Sequence, residues 1–362
     1  MALATELFDY ALPQECIALT PAEKRDRSRL LVVDRAVQSI THATFSDLPA
    51  FLRAGDMLFR NNATVIPARL LAQRPSGGRV ECLLLESAGG PSSQGEVWRC
   101  LVKPGRRLPV GASFAHPEAA FMGEVVEREA DGAVLVRFSV RDGDTVVSMA
   151  RRCGELPLPP YLGPRRAEHR ALDRERYQTV YADPARPVAA AAPTAGLHFT
   201  APLLASLAAR GVRSLDLTLN VGLGTFQPIS SDSIESHRIH REHYEMPVDS
   251  QCALFPPITG KRVAVGTTAV RAIEDFLATQ AAPRDETHFA EAGIFLFPPA
   301  TFRGVDALIT NFHQPRSTLL CLVSAFLTPG SAGGIAWLKE IYAEAIGLRY
   351  RFFSYGDAML IL

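Results

Sequence analysis

Four stretches of the chain put histidine, threonine, asparagine or glycine where a purely structural protein would be plain. The first runs Arg176-Tyr177-Gln178-Thr179-Val180-Tyr181 and continues at Pro193-Thr194-Ala195-Gly196-Leu197-His198-Phe199-Thr200. It sets His198 just ahead of a helix start, where free amide N–H groups can hold an anion or a carboxylate-bearing ligand; the plainer alternative is a buried, hydrogen-bonded ring. The second, Thr218 to Phe226, reads as a strand running into a Gly222-Leu223-Gly224 turn that lets backbone approach a ligand closely. It has neither the Gly-Lys-Ser/Thr ending of a phosphate loop nor the third glycine of a dinucleotide fingerprint. The third is His237-Arg238-Ile239-His240-Arg241-Glu242-His243. If helical, it places His237 and His240 on one face with Glu235 and Glu242 nearby. Imidazole and carboxylate are zinc ligands, but the spacing matches neither H-E-x-x-H nor its inverse and no cysteine is near, so no metal is expected. A ligand-binding or proton-transfer role competes there with a solvated charged turn. In the fourth, Val263 to Val265 is a strand, Gly266-Thr267-Thr268 its turn and the following residues a helix. Leu308-Ile309-Thr310-Asn311-Phe312-His313 repeats that strand and polar turn. Two such edges predict a pocket beyond the carboxyl ends of the strands. In the tail, Asp357 either orients a catalytic ring or belongs to a strand and turn packed on the core.

The elements that must position these residues change character along the chain. Early strands are expected at Arg27–Val33 and, after a turn, at Leu52–Phe59. From Val65 to Ala150 short β-rich runs follow at Val80–Leu85, Val97–Val102, Gly123–Glu129, Val134–Val140 and Thr145–Met149, split by glycine and aspartate turns. Regular short strands of that kind predict a small antiparallel barrel. Beyond Tyr161, strand-like runs (Ser214–Val221, Arg262–Val265, Asp306–Ile309) alternate with helical ones. Pro202–Arg210 has Thr200 as its cap, and Thr268–Ala278 carries Val270, Ile273 and Phe276 at helical spacing. The fold class expected is therefore α/β, a mixed, largely parallel sheet body with an inserted antiparallel β-barrel domain. The catalytic domain is discontinuous, 1–64 with 154–362, and the barrel domain is 65–153.

Composition narrows the function classes. The 362 residues have zero formal net charge, 47% hydrophobic and 21% charged residues, which excludes wholesale disorder. No apolar run approaches the roughly 18 residues of a membrane span. Glu6, Asp9 and Glu15 interrupt the N-terminus, so no secretory signal is read there. The six dispersed cysteines read as reduced thiols in a cytoplasmic protein. Neutrality argues against indiscriminate nucleic-acid binding yet leaves room for a local basic footprint. Arg151 to Arg186 holds eight arginines against five acids, and Lys24, Arg25, Arg27, Arg29 and Arg35 add to it.

Taken in order, further motifs join these segments. They are Phe8-Asp9-Tyr10, Arg25-Asp26 with Ser28-Arg29-Leu30, Gly55-Asp56 through Asn61-Asn62 to Val65-Ile66-Pro67-Ala68-Arg69-Leu70, Pro159-Pro160-Tyr161, and Phe353-Ser354-Tyr355-Gly356-Asp357. Over nearly its whole length the chain resembles the S-adenosylmethionine:tRNA ribosyltransferase-isomerases of queuosine biosynthesis. The resemblance implies that the ribosyl part of S-adenosyl-L-methionine, not its methyl group, is transferred and isomerised. The acceptor would be 7-aminomethyl-7-deazaguanine at the wobble position of tRNAs with GUN anticodons; epoxyqueuosine forms and adenine and methionine leave. It implies S-adenosyl-L-methionine as cosubstrate; no metal, no membrane and a monomer in the cytoplasm are also expected.

The sulfonium acidifies the adjacent C5′ hydrogen, so a base can start ring opening, and an acid helps adenine leave; histidine suits both roles. His198 and His313 are the expected catalytic rings, with His240 behind them and Asp357 orienting. Thr267, Thr268, Asn311, Gly222 and Gly224 are expected to bind the cosubstrate, and Tyr177, Gln178, Arg176 and Arg69 the acceptor. The chain departs from the family pattern at Ala63-Thr64, where an arginine is lost, and at Asn220, where a histidine is lost. It departs also at Gly293-Ile294 and Pro298-Pro299-Ala300. Such changes leave open two alternatives: a diverged S-adenosylmethionine-binding paralogue with another acceptor, and a non-catalytic RNA-binding protein.

Overall fold

Runs of β-branched and aliphatic residues form two sheets in the computed structural model, which describes residues 3–89, 95–118, 120–130, 132–141, 144–163, 165, 167–187, 191–220, 222, 228–255 and 257–362. The first elements are β1 (Arg29–Asp34), β2 (Ser39–Thr44) and β3 (Met57–Asn61), followed by β4 (Arg69–Gln73), β5 (Arg79–Gly89), β6 (Glu96–Lys103), β7 (Ser113–Ala115), β8 (Phe121–Arg128) and β9 (Val134–Val140). Then come α1 (Val146–Cys153), α2 (Ala167–Arg176), α3 (Ala201–Ala209), β10 (Arg213–Leu219), β11 (Glu242–Met246) and α4 (Val248–Cys252). The chain ends with β12 (Arg262–Val265), α5 (Thr267–Thr279), β13 (His288–Ala292), β14 (Ala307–Asn311), α6 (Thr318–Leu327), α7 (Gly334–Gly347) and β15 (Ala358–Ile361). By contacts it divides into two compact units, Met1–Ala63 with Pro164–Asp183 and Pro193–Leu362, and Thr64–Gly163 with Pro184–Ala192.

The first unit is built on a nine-stranded sheet in the order β13-β11-β10-β3-β12-β14-β15-β1-β2. Its centre, β10-β3-β12-β14, is parallel. Antiparallel pairs flank that centre, with β11 and β13 on one side and β15 against β14 on the other. Strands buried on both faces read as continuous apolar runs, as in Leu30–Val33 and Ala307–Ile309. One face packs Leu30, Val32, Leu58, Val263, Val265 and Ile309 against Phe199, Leu203 and Leu207 of the α3 region. Thr200 caps α3 as expected, its Oγ1 accepting from the Leu203 amide at 3.3 Å.

The second unit is a closed antiparallel barrel, β4-β5-β6-β9-β8-β7. Burial alternates along β6 and β9, with Trp98, Cys100 and Val102 and then Val134, Val136 and Phe138 turned inward. The strand expected at Thr145–Met149 is instead the start of α1. Thr145 Oγ1 accepts from the Ser148 amide and Ser148 Oγ from the Thr145 amide, a reciprocal capping box that outweighs the β-branched pair Val146-Val147. Among the described residues no helix is long and apolar enough to cross a membrane.

Candidate active site

The carboxyl ends of the parallel strands bring most of the expected site residues to one edge of the sheet. At the end of β12 the chain turns through Gly266, whose φ of 94° favours glycine, and its amide donates to Ile309 of β14 at 2.8 Å. Thr267 and Thr268 then open α5, both buried. At the end of β3, Asn61 extends the ladder with its side chain: Oδ1 accepts from the Ala63 and Leu219 amides and Nδ2 donates to the Leu219 carbonyl at 3.0 Å. Asn62 Oδ1 accepts from Thr218 Oγ1 at 2.7 Å. These asparagines fasten β3 to the end of β10, where Gly222 follows.

Asn311, the last residue of β14, joins this edge to His198. Its Nδ2 lies 3.1 Å from His198 Nε2, and its Oδ1 accepts from Thr194 Oγ1 at 2.9 Å. On the other side of the ring, His198 Nδ1 lies 2.7 Å from Ser28 Oγ, which donates to the Arg25 carbonyl. One assignment satisfies every partner: the ring is neutral, Nε2 accepts from Asn311 and Nδ1–H donates to Ser28. Burial, followed by the charges of Arg25 and Arg351, pushes the His198 pKa down to about 3, so the neutral form holds across the physiological range. The bland and the functional readings of His198 both apply: the ring is buried and bonded, and it also lines a pocket of about 270 Å³ with Arg25, Ser28, Arg176 and Tyr355.

His313 sits two residues beyond the end of the same strand. Its Nε2 is 2.7 Å from Thr310 Oγ1, its amide donates to Tyr342 Oη at 3.0 Å, and its carbonyl accepts from Tyr10 Oη. Among the described residues no group hydrogen-bonds its Nδ1. Burial alone lowers its pKa to about 3. Neither ring is therefore tuned near neutrality, the property that makes histidine attractive from sequence.

His240 belongs to a second cleft, of about 470 Å³, with His237, Glu242, Thr268, Arg271 and Phe295 on its walls. The His237–His243 stretch is not helical; it is irregular and leads into β11, so the two histidines meet in this cleft rather than on a helix face. The His237 ring stands edge-on to Phe295 at 5.7 Å, and burial lowers its pKa, helped by His240. Glu242 is committed to a buried ion pair with Arg271. Arg271 also donates to the carbonyls of His240, Ala292 and Ile294 and so fixes this wall. Among the described residues no three metal-ligating side chains come together.

Among the described residues, the remaining expected ones do not hydrogen-bond to His198 or His313. Asp357 is buried and accepts from the Arg29 amide at 2.9 Å, Arg29 Nε at 3.1 Å and the Arg351 amide at 2.8 Å; none of these bonds reaches a histidine. His198 is oriented instead by Ser28 and Asn311. Tyr177 is fully buried, edge-on to Tyr355 at 5.8 Å, whereas Gln178 is half-buried beside it. Arg176 lines the His198 pocket. Arg69, in the barrel unit, pairs with Glu81 at 2.7 Å and Glu155 at 3.1 Å. Among the described residues nothing lies against the Cβ side of Gly222, and Gly224 lies outside the described residues. Of the departures, Asn220 continues the β10 ladder by donating its amide to His243 at 2.9 Å, and the Gly293 amide donates to Asp275. Sequence reasoning passed over Ser28, Thr194, Thr310 and Arg25 as site residues, although each stands inside or beside a motif it singled out.

A parallel-centred α/β sheet with a histidine–asparagine network at its strand ends, carried on a chain that also forms a closed barrel, defines an enzyme class that binds its ligands beyond the strand ends. Comparison with known proteins narrows the class. The family described as queuosine biosynthesis protein matches residues 5–361. The S-adenosylmethionine:tRNA ribosyltransferase-isomerase of Gloeobacter violaceus is 47% identical over 362 residues, covering 99% of this chain and 96% of that one. Its counterpart in Rubrobacter xylanophilus is 44% identical over 360 residues, with 99% and 98% covered. The crystal structure of S-adenosylmethionine tRNA ribosyltransferase from Thermotoga maritima is similar with a TM-score of 0.51 at 33% identity, covering 98% of this chain and all of that one. The chain belongs to the S-adenosylmethionine:tRNA ribosyltransferase-isomerase family of queuosine biosynthesis.

Proposed function

We propose that this chain transfers and isomerises the ribosyl moiety of S-adenosyl-L-methionine onto 7-aminomethyl-7-deazaguanine at the wobble position of tRNA with a GUN anticodon. Epoxyqueuosine is the product, and adenine and methionine are released. The observation that carries this reading is the extent of the family match, residues 5–361, which takes in every loop at the sheet edge. The enzyme works as a cytoplasmic monomer without metal.

The chemistry asks for a base at the C5′ hydrogen, and a buried neutral imidazole can serve despite its low pKa. That pKa measures the cost of bringing a new charge into a dry site. Proton transfer from a sulfonium carbon to a neutral ring leaves the net charge of the site unchanged, because the ylide formed is neutral overall and the imidazolium carries the positive charge. His313, with Nδ1 unbonded, is the base in this reading. His198 is held by Ser28 and Asn311 and keeps the edge in place, Thr267 and Thr268 meet the cosubstrate, and His240 serves the second cleft. Arg176, Tyr177 and Gln178 lie on the acceptor side.

The test is adenine release from S-adenosylmethionine with and without tRNA bearing the aminomethyl base, followed together with the mass of the modified nucleoside. Release that depends on this tRNA, with a matching gain on the base, is expected. Adenine release with no gain on the base would shift the reading to a paralogue with another acceptor. Folded protein that binds both partners without releasing adenine would leave RNA binding alone.

A further inference from the structure

The two arginine-rich stretches of the sequence converge on one place that the reaction chemistry leaves unexplained. Arg25 from the first and Arg176 from the second line the pocket beside His198, and Arg351 is anchored at its Ser354–Gly356 wall through the Tyr355 carbonyl. We infer that this pocket is a phosphodiester-binding subsite for the RNA backbone next to the nucleotide being modified, with Arg25, Arg176 and Arg351 as its cations.

What holds these guanidiniums matters. Arg25 donates to the carbonyls of Arg176 and Leu197, each at 3.2 Å, and of Glu175 at 3.1 Å. Arg176 donates to Ala22 at 2.7 Å and Glu23 at 3.0 Å. Arg351 donates to the carbonyls of Thr20 and Tyr355. Every side-chain acceptor is a main-chain carbonyl, which orients a guanidinium without cancelling its charge; among the described residues none of the three is ion-paired. Two nearby carboxylates are engaged elsewhere, Asp357 with Arg29, and Asp173 with Arg165 and Tyr355 Oη, while the Glu175 carboxylate acts on Arg25 only through its charge. A guanidinium has five N–H donors, so each of the three keeps at least two for another acceptor. Burial lowers the pKa of Arg25 and of Arg351; the neighbouring charge of Arg176 lowers that of Arg25 further, while Glu175 and Asp357 offset part of the effect at Arg25 and Arg351 respectively. Fork-shaped donors around a small cavity suit a phosphate, which accepts from several directions at once.

The competing oxyanion is the carboxylate of the cosubstrate's methionine part. One guanidinium suffices for a carboxylate, and Arg316, on the loop that also carries His313, already supplies one. Among the described residues its Nε is buried without a partner, and it lines an open crevice with Gln314 and Phe353. Three cations around the His198 pocket exceed that need and fit a polyanion.

This inference rests on the tRNA reading above. The test is binding of an anticodon stem-loop carrying the aminomethyl base, followed by fluorescence anisotropy over a salt series for wild type, Arg176→Gln and Arg25→Gln. Each substitution is expected to weaken binding severalfold and to reduce the slope of log affinity against log salt by about 0.7 to 0.9, the loss of one phosphate contact. The KM for S-adenosylmethionine is expected to stay put. An unchanged slope, or a raised KM for S-adenosylmethionine with the slope unmoved, overturns the inference. Arg25 also ties three carbonyls, so a second measurement uses the wild type: phenylglyoxal modification read by peptide mass. The stem-loop is expected to protect Arg25, Arg176 and Arg351, and S-adenosylmethionine alone is not; the reverse pattern or no protection overturns the inference. Adenine release on the same stem-loop separates the two failures. A wild type that releases none brings down the enzymatic reading, whereas turnover with an unmoved slope brings down the subsite alone.

Discussion

Two imidazoles with the same depressed pKa are held so differently that they cannot carry the same role. His198 is bonded at both nitrogens, to Ser28 at 2.7 Å and Asn311 at 3.1 Å, so a proton arriving at Nε2 must first displace the Asn311 amide, itself fixed by Thr194. His313 is bonded at Nε2 only. Proton transfer follows the accessible lone pair, and general base catalysis is worth about 100- to 10,000-fold in rate. His313→Gln is therefore expected to lower kcat for adenine release by a factor in that range with little change in the KM for S-adenosylmethionine. His198→Gln keeps a side chain able to bond Asn311, and it is expected to lower kcat by about tenfold at most while raising KM, the pattern of a positioning residue. Single-turnover and steady-state adenine release on the two variants check this; a larger kcat loss in His198→Gln than in His313→Gln would exchange the roles. At this scale the residue types were legible in the sequence, and their bonding was not. No periodicity reports that Ser28 and Thr194, far apart in the chain, reach His198 and its asparagine.

At the scale of elements, two glycines in the expected site separate packing from ligand approach. Gly196 lies in the tight turn Thr194–His198, where an added Cβ would sit 2.0 Å from Tyr181 Oη and 2.8 Å from Thr179 Cγ2. Both neighbours are packed: the Tyr181 ring lies edge-on to Phe199 at 6.2 Å, with the Arg60 guanidinium 4.5 Å above it. Overpacking of this kind costs about 1 to 3 kcal/mol, so Gly196→Ala is expected to destabilise by that much and to disturb His198 with it. Among the described residues, nothing lies within 4 Å of Gly222 on its Cβ side. Gly222→Ala is expected to leave stability within about 0.5 kcal/mol of wild type while raising the KM for S-adenosylmethionine, because the space it fills is open to a ligand. Denaturant midpoints and KM for the pair test both statements; an unchanged KM in Gly222→Ala removes that glycine from the cosubstrate site. Strands were readable where burial enforces a pattern, as in Arg262–Val265, which matches β12 residue for residue. The failures are equally physical. Thr145–Met149 was read from β-branched content, and the Thr145–Ser148 side-chain bonds decided for a helix. A helix over His237–His243 is prevented because its last two residues, Glu242 and His243, pair as strand with Ala292 and Glu291.

For the whole molecule, the placement of histidines makes the two compact units respond differently to acid. Eight of the nine histidines fall in the sheet unit; the barrel unit has only His116, which is partly exposed. In the sheet unit burial lowers the pKa of His198 and His313 to about 3 and also lowers those of His237 and His288. An unfolded histidine titrates near 6.5, so as pH falls through that value the unfolded state binds protons that the native state refuses until about pH 3. The stabilisation is complete above about pH 7 and is lost on acidification. Between pH 7.5 and 5.5 the loss is about 1.4 kcal/mol for each of His198 and His313. Glu274, whose carboxyl burial pushes up, has the opposite sign, since its native form takes a proton more readily than its unfolded form. The two tryptophans report the units separately: Trp98 is buried in the barrel and Trp337 lies on α7 of the sheet unit. With Trp98→Phe, urea unfolding followed through Trp337 is expected to move to a clearly lower midpoint at pH 5.5 than at pH 7.5. With Trp337→Phe, the transition followed through Trp98 is expected to move much less, because the barrel unit has no buried histidine. Adding His198→Gln to Trp98→Phe should remove about half of the pH-dependent shift assigned to the two rings. Equal movement of both transitions, or a shift indifferent to His198→Gln, would mean that these histidines do not set the acid response.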